Sequence, residues 1–324
     1  MLLSGCSSGP DLSYPNEFHL RNIRQLTSGG ENAEAYFSSD GRRLIFQSTR
    51  GDLKADHIFT MNLDGSDVRM LSNGQGRTTC GYYFPDGRFL YSSTHLAGAE
   101  PPPKPDHSRG YVWPVYASYD IFRSDGKRLT DAVGYDAEAT ISPDGKRIVF
   151  TTARDSDLEI YDIDADGGDA RRLTYSPGYD GGAFYSPDGT LICFRANVEA
   201  EGSDFAALLA QELVRPTKLD IFVMNADGTG RRQVTSNGAA NFCPFFCRDG
   251  KRIIFASNMH DPKGRNFDLY LINLDGTGLE RVTFFDAFDG FPMFSPDGRK
   301  LVFCSNRHNQ QPHETNVFIA EWVE

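Results

Sequence analysis

The sequence predicts an all-β fold: a six-bladed β-propeller of four-stranded antiparallel blades. Three observations carry this. A hairpin with Asp-Gly at its tip occurs six times, at Asp40, Asp86, Asp144, Asp188, Asp249 and Asp297, with spacings of 46, 58, 44, 61 and 48 residues. Between hairpins run two further strand patterns joined by a second turn, and short strands with turn signals at regular spacing indicate an all-β repeat architecture. Finally, the chain starts with the pattern that each repeat ends on, so its two ends can complete one blade.

Each repeat reads as strands A to D. Strand A, as in residues 180–186, leads into the Asp-Gly turn; Gly accepts positive φ and Asp bonds its own backbone, which suits a two-residue hairpin. Strand B is the apolar run that follows, as in 44–46, 148–150, 191–194 and 253–255. Strand C carries Asp/Asn-x-apolar-aromatic, as in 219–224 and 267–272. A second turn, with Asp-Gly at 125–126, 166–167, 227–228 and 275–276, leads to strand D at 24–27, 69–72, 127–130, 171–174, 232–235 and 280–283. The chain opens on an orphan strand D at 22–27 and stops after a strand C at 316–323. Residues 23–26 are therefore expected to pair with 317–322, closing the ring without exposed edges. The expected organisation is a leader remnant and tether over 1–21 and a single propeller over 22–324, with insertions at about 95–118 and 197–218.

Composition narrows the partners. Hydrophobic residues make up 39% of the chain and aromatics 12%, enough for a core. Net charge is −11, from 44 acidic and 33 basic residues, which argues against nucleic acid or an anionic membrane surface as the main partner. A cationic, metal or neutral ligand fits. No stretch approaches the ~20 apolar residues that span a bilayer. Residues 3–6, Leu-Ser-Gly-Cys, resemble a bacterial lipobox, which implies a lipid on Cys6, contact with a membrane only through that anchor, and a place in the periplasm or on the outer surface. Only five residues precede Cys6, so either the leader is truncated or the match is accidental. Cys80, Cys193, Cys243, Cys247 and Cys304 form no CxxC pair and read as buried thiols.

The Ser-Pro-Asp-Gly turns, the strand C ending Met224-Asn225-Ala226-Asp227-Gly228 and the Arg-x-Leu-Thr strands together resemble the TolB-type β-propeller family over about residues 22–324. The resemblance implies the fold and a periplasmic setting. Propellers of this type serve as binding platforms, protease substrate gates and lyases. TolB itself adds an N-terminal α/β domain for which this chain has no room, so a role outside the Tol system is expected.

The excess repeat length falls between strands B and C, and in an up-down blade the B–C loops share a face with the D–A loops. Long loops on a rigid scaffold are where function sits. The first insertion holds Pro101-Pro102-Pro103 and the aromatic cluster at 111–116 with Trp113, which either stacks on a sugar or peptide or packs the loop onto the rim. The second is read as a short helix capped by Ser203, with Phe205, Leu208, Leu209 and Leu213 in one apolar stripe.

Entering strand A at equivalent positions are Asn32, Thr78, Asp136, Asp180, Asn241 and Asp289, expected to surround the axis; two residues on come Glu34, Cys80, Glu138, Gly182, Cys243 and Phe291. The first ring suits a divalent cation or a ligand amine; alternatively it caps strand ends and holds channel water. His95, His260, Arg265 and Arg307 lie in B–C segments of the same face. His95 and His260 with Asp136, Asp180 and Asp289 are the candidate metal ligands.

The Asp162–Gly167 stretch mimics the start of an EF-hand but lacks the closing Glu, and there is no GxSxG, HExxH or P-loop. The first functional reading is an envelope-anchored, non-catalytic module that binds a protein, peptide or glycan. The second is a metal-assisted polysaccharide lyase: oligogalacturonate lyases share a similar propeller and use a His-rich metal centre. The third is a structural subunit of a larger envelope assembly.

Overall fold

The computed structural model describes residues 12–108, 110–197, 203–262 and 264–324 and shows a ring of six antiparallel blades. Strand β1 (Leu20–Gln25) comes first and belongs to the last blade. Blade I is β2 (Glu31–Phe37), β3 (Arg43–Thr49), β4 (His57–Asn62) and β5 (Arg69–Met70). Blade II is β6 (Thr78–Tyr83), β7 (Phe89–Ser93) and β9 (Asp120–Arg123), with β8 (Trp113–Pro114) in its insertion. The fourth position of blade II is held by one bridge, Phe122 to Arg128, rather than by a ladder. Blade III is β10 (Asp136–Ile141), β11 (Arg147–Thr152), β12 (Glu159–Asp164) and β13 (Arg171–Arg172). Blade IV is β14 (Asp180–Tyr185), β15 (Leu191–Ala196), β17 (Asp220–Asn225) and β18 (Arg232–Gln233); its insertion carries α1 (Phe205–Leu209) and β16 (Leu213–Val214). Blade V is β19 (Asn241–Phe246), β20 (Arg252–Ser257), β21 (Asp268–Asn273) and β22 (Glu280–Arg281). Blade VI is β23 (Asp289–Phe294), β24 (Lys300–Ser305) and β25 (Asn316–Trp322), completed by β1.

The closure is the one expected. β1 runs antiparallel to β25, with Leu20 opposite Trp322 and Gln25 opposite Phe318, and the Leu26 N–H donates to the Val317 carbonyl at 2.8 Å. The expected boundary at residue 22 falls inside this strand.

The repeated motifs acquire physical roles. The last residue of each strand D motif is a Ser or Thr whose hydroxyl accepts the N–H of the second strand C residue. The six are Ser72 to Ile58, Thr130 to Ile121, Thr174 to Ile160, Thr235 to Ile221, Thr283 to Leu269 and Thr27 to Val317. In blades I, III, IV and V strand D is thereby pinned with a ladder only two residues long. The strand C aromatic packs on the strand B aromatic in every blade: Phe46 with Phe59, Tyr91 with Phe122, Phe150 with Tyr161, Phe194 with Phe222, Phe255 with Tyr270 and Phe303 with Phe318. Burying one such ring contributes about 1.5–3 kcal/mol.

The A–B turns correct the two-residue expectation. Five residues separate β2 from β3, and Gly41 N–H donates to the Ser38 carbonyl at 2.8 Å with Gly41 at φ +67°. This is a type I turn closed by a left-handed glycine. The Ser38 hydroxyl donates to Asp40 and accepts the Arg43 N–H, which braces the longer loop.

Candidate functional site

Every strand A carries a register shift, between Ala33 and Tyr36, Thr79 and Tyr82, Ala137 and Thr140, Gly181 and Phe184, Phe242 and Phe245, and Gly290 and Met293. Inside each shift lies one residue at φ between +50° and +60°: Glu34, Cys80, Glu138, Gly182, Cys243 and Phe291. A β-bulge re-aims a side chain at one point of a strand. Here six bulges send one position per blade to the axis, and these six residues, with Tyr36, Phe184 and Arg195 among others, line an axial cavity.

The first ring does not open onto that cavity, a correction to the expected arrangement. Asn32, Thr78, Asp136, Asp180, Asn241 and Asp289 are fully buried. The backbone N–H of each donates to a carbonyl of the preceding blade, those of Thr315, Asp56, Tyr119, Leu158, Leu219 and Phe267, at 2.8–3.1 Å. These six bonds staple neighbouring blades. Their side chains are also taken: Arg154 meets Asp136, Arg231 meets Asp180, and Arg50 meets Asn32. Arg307 meets Asp289 at 2.8 Å and Glu17 at 3.0 Å, all within fully buried side chains. The regular two-residue alternation of a strand puts both rings on one side; the bulge breaks it, so only the second ring faces the axis.

The second ring is uneven in a way that creates the site. Gly182 leaves a gap where the other blades have side chains, and Arg195, opposite Gly181 in the β14–β15 hairpin, enters it. There Arg195 Nη2 bonds Glu138 and the Tyr179 hydroxyl. Glu138 also accepts from Tyr179, the Thr151 hydroxyl and the Gly182 N–H. Burial opposes the charge on Arg195, but Glu138 and Tyr179 hold its pKa well above the usual range. Sequence reading missed Arg195 and Tyr179; a glycine at a ring position beside an arginine in the next strand was the available signal.

Glu34 is the carboxyl without such a partner. Burial, and then the nearby Glu138, raise its pKa to about 7, with the Cys80 thiol acting the other way. Burial keeps the thiol of Cys80 protonated and pushes that of Cys243 up to about 12. A carboxyl raised in the folded state contributes stability fully below its unfolded pKa, and that contribution is lost as pH rises through about 7. Relative to Glu34→Gln, the wild type is therefore expected to lose up to about 3 kcal/mol between pH 4.5 and 8, measured by urea unfolding. Equal slopes for the two proteins would refute this. The cavity is about 30 Å³, room for a water-sized group and not for a sugar ring.

The two insertions join each other. β8 pairs antiparallel with β16, Val214 opposite Trp113, and the Val115 N–H donates to the Glu212 carbonyl at 2.7 Å. Trp113 thereby lies over the Arg195 guanidinium, 5.2 Å from it, and against Tyr179 and Phe242. From Trp113 a chain of half-buried rings runs through Phe242, Phe267 and Phe288 to Phe291 in the cavity wall, with centroids 5.2–6.1 Å apart. Arg265 is exposed and sits over Tyr111, 5.5 Å from its ring. The expected helix is shorter than its apolar stripe: it ends at Leu209, Asp204 rather than Ser203 is its N-cap, and Leu213 is in β16. Strand pairing with a segment about 100 residues away overrides the local helical spacing.

The remaining candidates are dispersed. His95 is in blade II, bonded to Ser93 and packed on Phe122; His260 is in blade V, bonded to Tyr270 and 3.1 Å from Asp268. Asp136, Asp180 and Asp289 belong to three other blades and have arginine partners. Among the described residues no three His, Cys, Asp or Glu come together as metal ligands. Among the described residues the expected ligands are therefore not gathered into a cation site. Cys6 lies outside the described residues. A larger cavity, about 260 Å³, opens between blades III and IV on the opposite face, where Asp162 takes both Arg147 and Arg171.

Residues 201–312 match the family model described as the TolB beta propeller domain. An uncharacterized protein of Agrobacterium fabrum is 29% identical over 143 residues, 41% of this chain and 42% of that protein, so the chain matches less than half the length of this curated relative. A TolB-assigned structure from Agrobacterium tumefaciens is 20% identical at TM-score 0.60, over 93% of this chain and 97% of that one. TolB from Acinetobacter baumannii is 18% identical at TM-score 0.59, over 81% of this chain and 57% of that one. An oligogalacturonate lyase in complex with manganese is 16% identical at TM-score 0.52, over 93% of each chain. At such identities the likeness is one of fold. The repeats, the closed ring and these matches agree: this chain is a six-bladed β-propeller similar in fold to TolB, with the family model matching its residues 201–312.

Proposed function

We propose that this chain is a binding module of the bacterial cell envelope whose B–C/D–A face takes an exposed peptide segment of a partner protein. One observation carries the reading: the joined insertions place Trp113 beside a run of half-buried aromatic rings that leads to the axial cavity. Aromatic anchors at the centre of a face, with charged groups among them, are what dominate protein recognition. The TolB likeness supports an envelope setting, and no described helix is long and apolar enough to cross a membrane. A glycan is less well served, because the cavity admits no sugar ring.

The test is site-specific photo-crosslinking in living cells. A crosslinker at Tyr111 is expected to capture a discrete envelope protein, and one at Ser39, on the opposite face, is not. Trp113→Ala should weaken capture at least tenfold, in the range lost on truncating an aromatic anchor. Capture at Ser39 alone, or turnover of a uronate oligosaccharide by the purified protein, would overturn the reading.

A further inference from the structure

We propose that the axial cavity is a receptor for the free N-terminal ammonium group of a bound peptide, with Glu34 as its counter-ion. This rests on the peptide-binding reading of the B–C/D–A face and adds which end of the peptide enters the axis.

The first support is charge. Glu138 and Arg195 neutralise each other, and the remaining contacts of Glu138 are filled by Tyr179, Thr151 and Gly182. Among the described residues Glu34 has only the Cys80 thiol in hydrogen-bonding range. With Glu34 ionised the cavity carries one net negative charge, the complement of a single ammonium group.

The second is size. The cavity's volume of about 30 Å³ exceeds the roughly 10–15 Å³ needed to hold one water, and an ammonium group is about the size of a water molecule. The Tyr36, Phe184 and Phe291 rings in the wall supply aromatic faces that attract a cation.

The third is an orphan donor. Arg195 is 8% exposed, lines the cavity, and its Nε has no hydrogen-bond partner among the described residues. Buried polar groups are normally paired, so a lone donor calls for an acceptor. The first residue of a peptide offers one beside its ammonium group, its own carbonyl oxygen. A lysine side chain has no acceptor next to its ammonium, which favours the terminus.

Binding is linked to protons through Glu34. The groups that act on it are Glu138, Arg195, Asp56 and the Cys80 thiol, and it acts in turn on Tyr36, Cys243 and Cys304. Burial keeps the phenol and the three thiols protonated at neutral pH. Affinity is therefore expected to fall as pH drops below about 7, where Glu34 takes up its proton. It falls again above the α-amino pKa of roughly 8, where the ligand loses its own charge.

Calorimetric titration with three probes tests this: Ala-Ala-Phe-amide, its N-acetylated form, and acetyl-Ala-Lys-Phe-amide. The free-terminus peptide is expected to bind at pH 7.5, with acetylation or Glu34→Gln reducing its affinity at least thirtyfold. Equal binding of the acetylated peptide, unchanged binding by E34Q, preference for the lysine probe, or no binding of any probe would each overturn the proposal. Crosslinking at Tyr111 is read separately, so the face can bind a partner while the axial ammonium site fails.

Discussion

Arg307→Met is expected to lower the unfolding free energy by about 3–5 kcal/mol, the usual cost of removing one side of a buried ion pair. Arg307 is fully buried, and so are its partners Glu17 and Asp289. Its guanidinium also lies 5.1–6.0 Å from the rings of Tyr14, Phe285, Phe303 and Phe318. Methionine keeps much of the volume but strands two carboxylates away from water. The thermal midpoint should drop by roughly 4–7 °C, read by calorimetry. The triple variant Glu17→Gln, Asp289→Asn, Arg307→Met should recover part of the loss, because no charge is then left unpaired. A single variant within about 1 kcal/mol of wild type would show that the cluster is solvated in solution.

The second large effect is at Gly182. Its φ is +60°, but the other five blades hold ordinary residues at φ +50° to +56° in the same bulge, so backbone strain alone does not demand glycine. What demands it is Arg195: a Cβ at Gly182 would lie 2.7 Å from the guanidinium carbon and closer still to Nη1. Gly182→Ala is expected to destabilise by about 2–4 kcal/mol, from overpacking and from the loosened Glu138 pair. Arg195→Ala alone should cost about as much. The double variant should cost little more than R195A, because both changes remove the same guanidinium from its seat. Additive losses in urea unfolding would mean that Gly182 matters for some other reason.

These two sites mark where sequence reading stopped. The six turns, the strand order and the seam between β1 and β25 were legible because each rests on a repeated local pattern. The ring facing the axis was misread by two residues, since a bulge leaves no mark in hydrophobic periodicity when its residue is Glu, Cys or Phe. Glu17 was taken for tether, yet its partner Arg307 is 290 positions away and only the closed ring brings them together. The pairing of β8 with β16 was hidden for the same reason: each half is two residues long and has no strand signal of its own.

The six N–H donors that link each blade to the one before also bear on how the ring comes apart. None of the bonds lies within a blade, so losing any one sector removes a bond from the sector on either side. The seam where β1 meets β25 is no exception, because Asn32 of blade I reaches back to Thr315 of blade VI at 2.8 Å. Hydrogen exchange at these six amides should therefore proceed at a common slow rate set by opening of the whole circle.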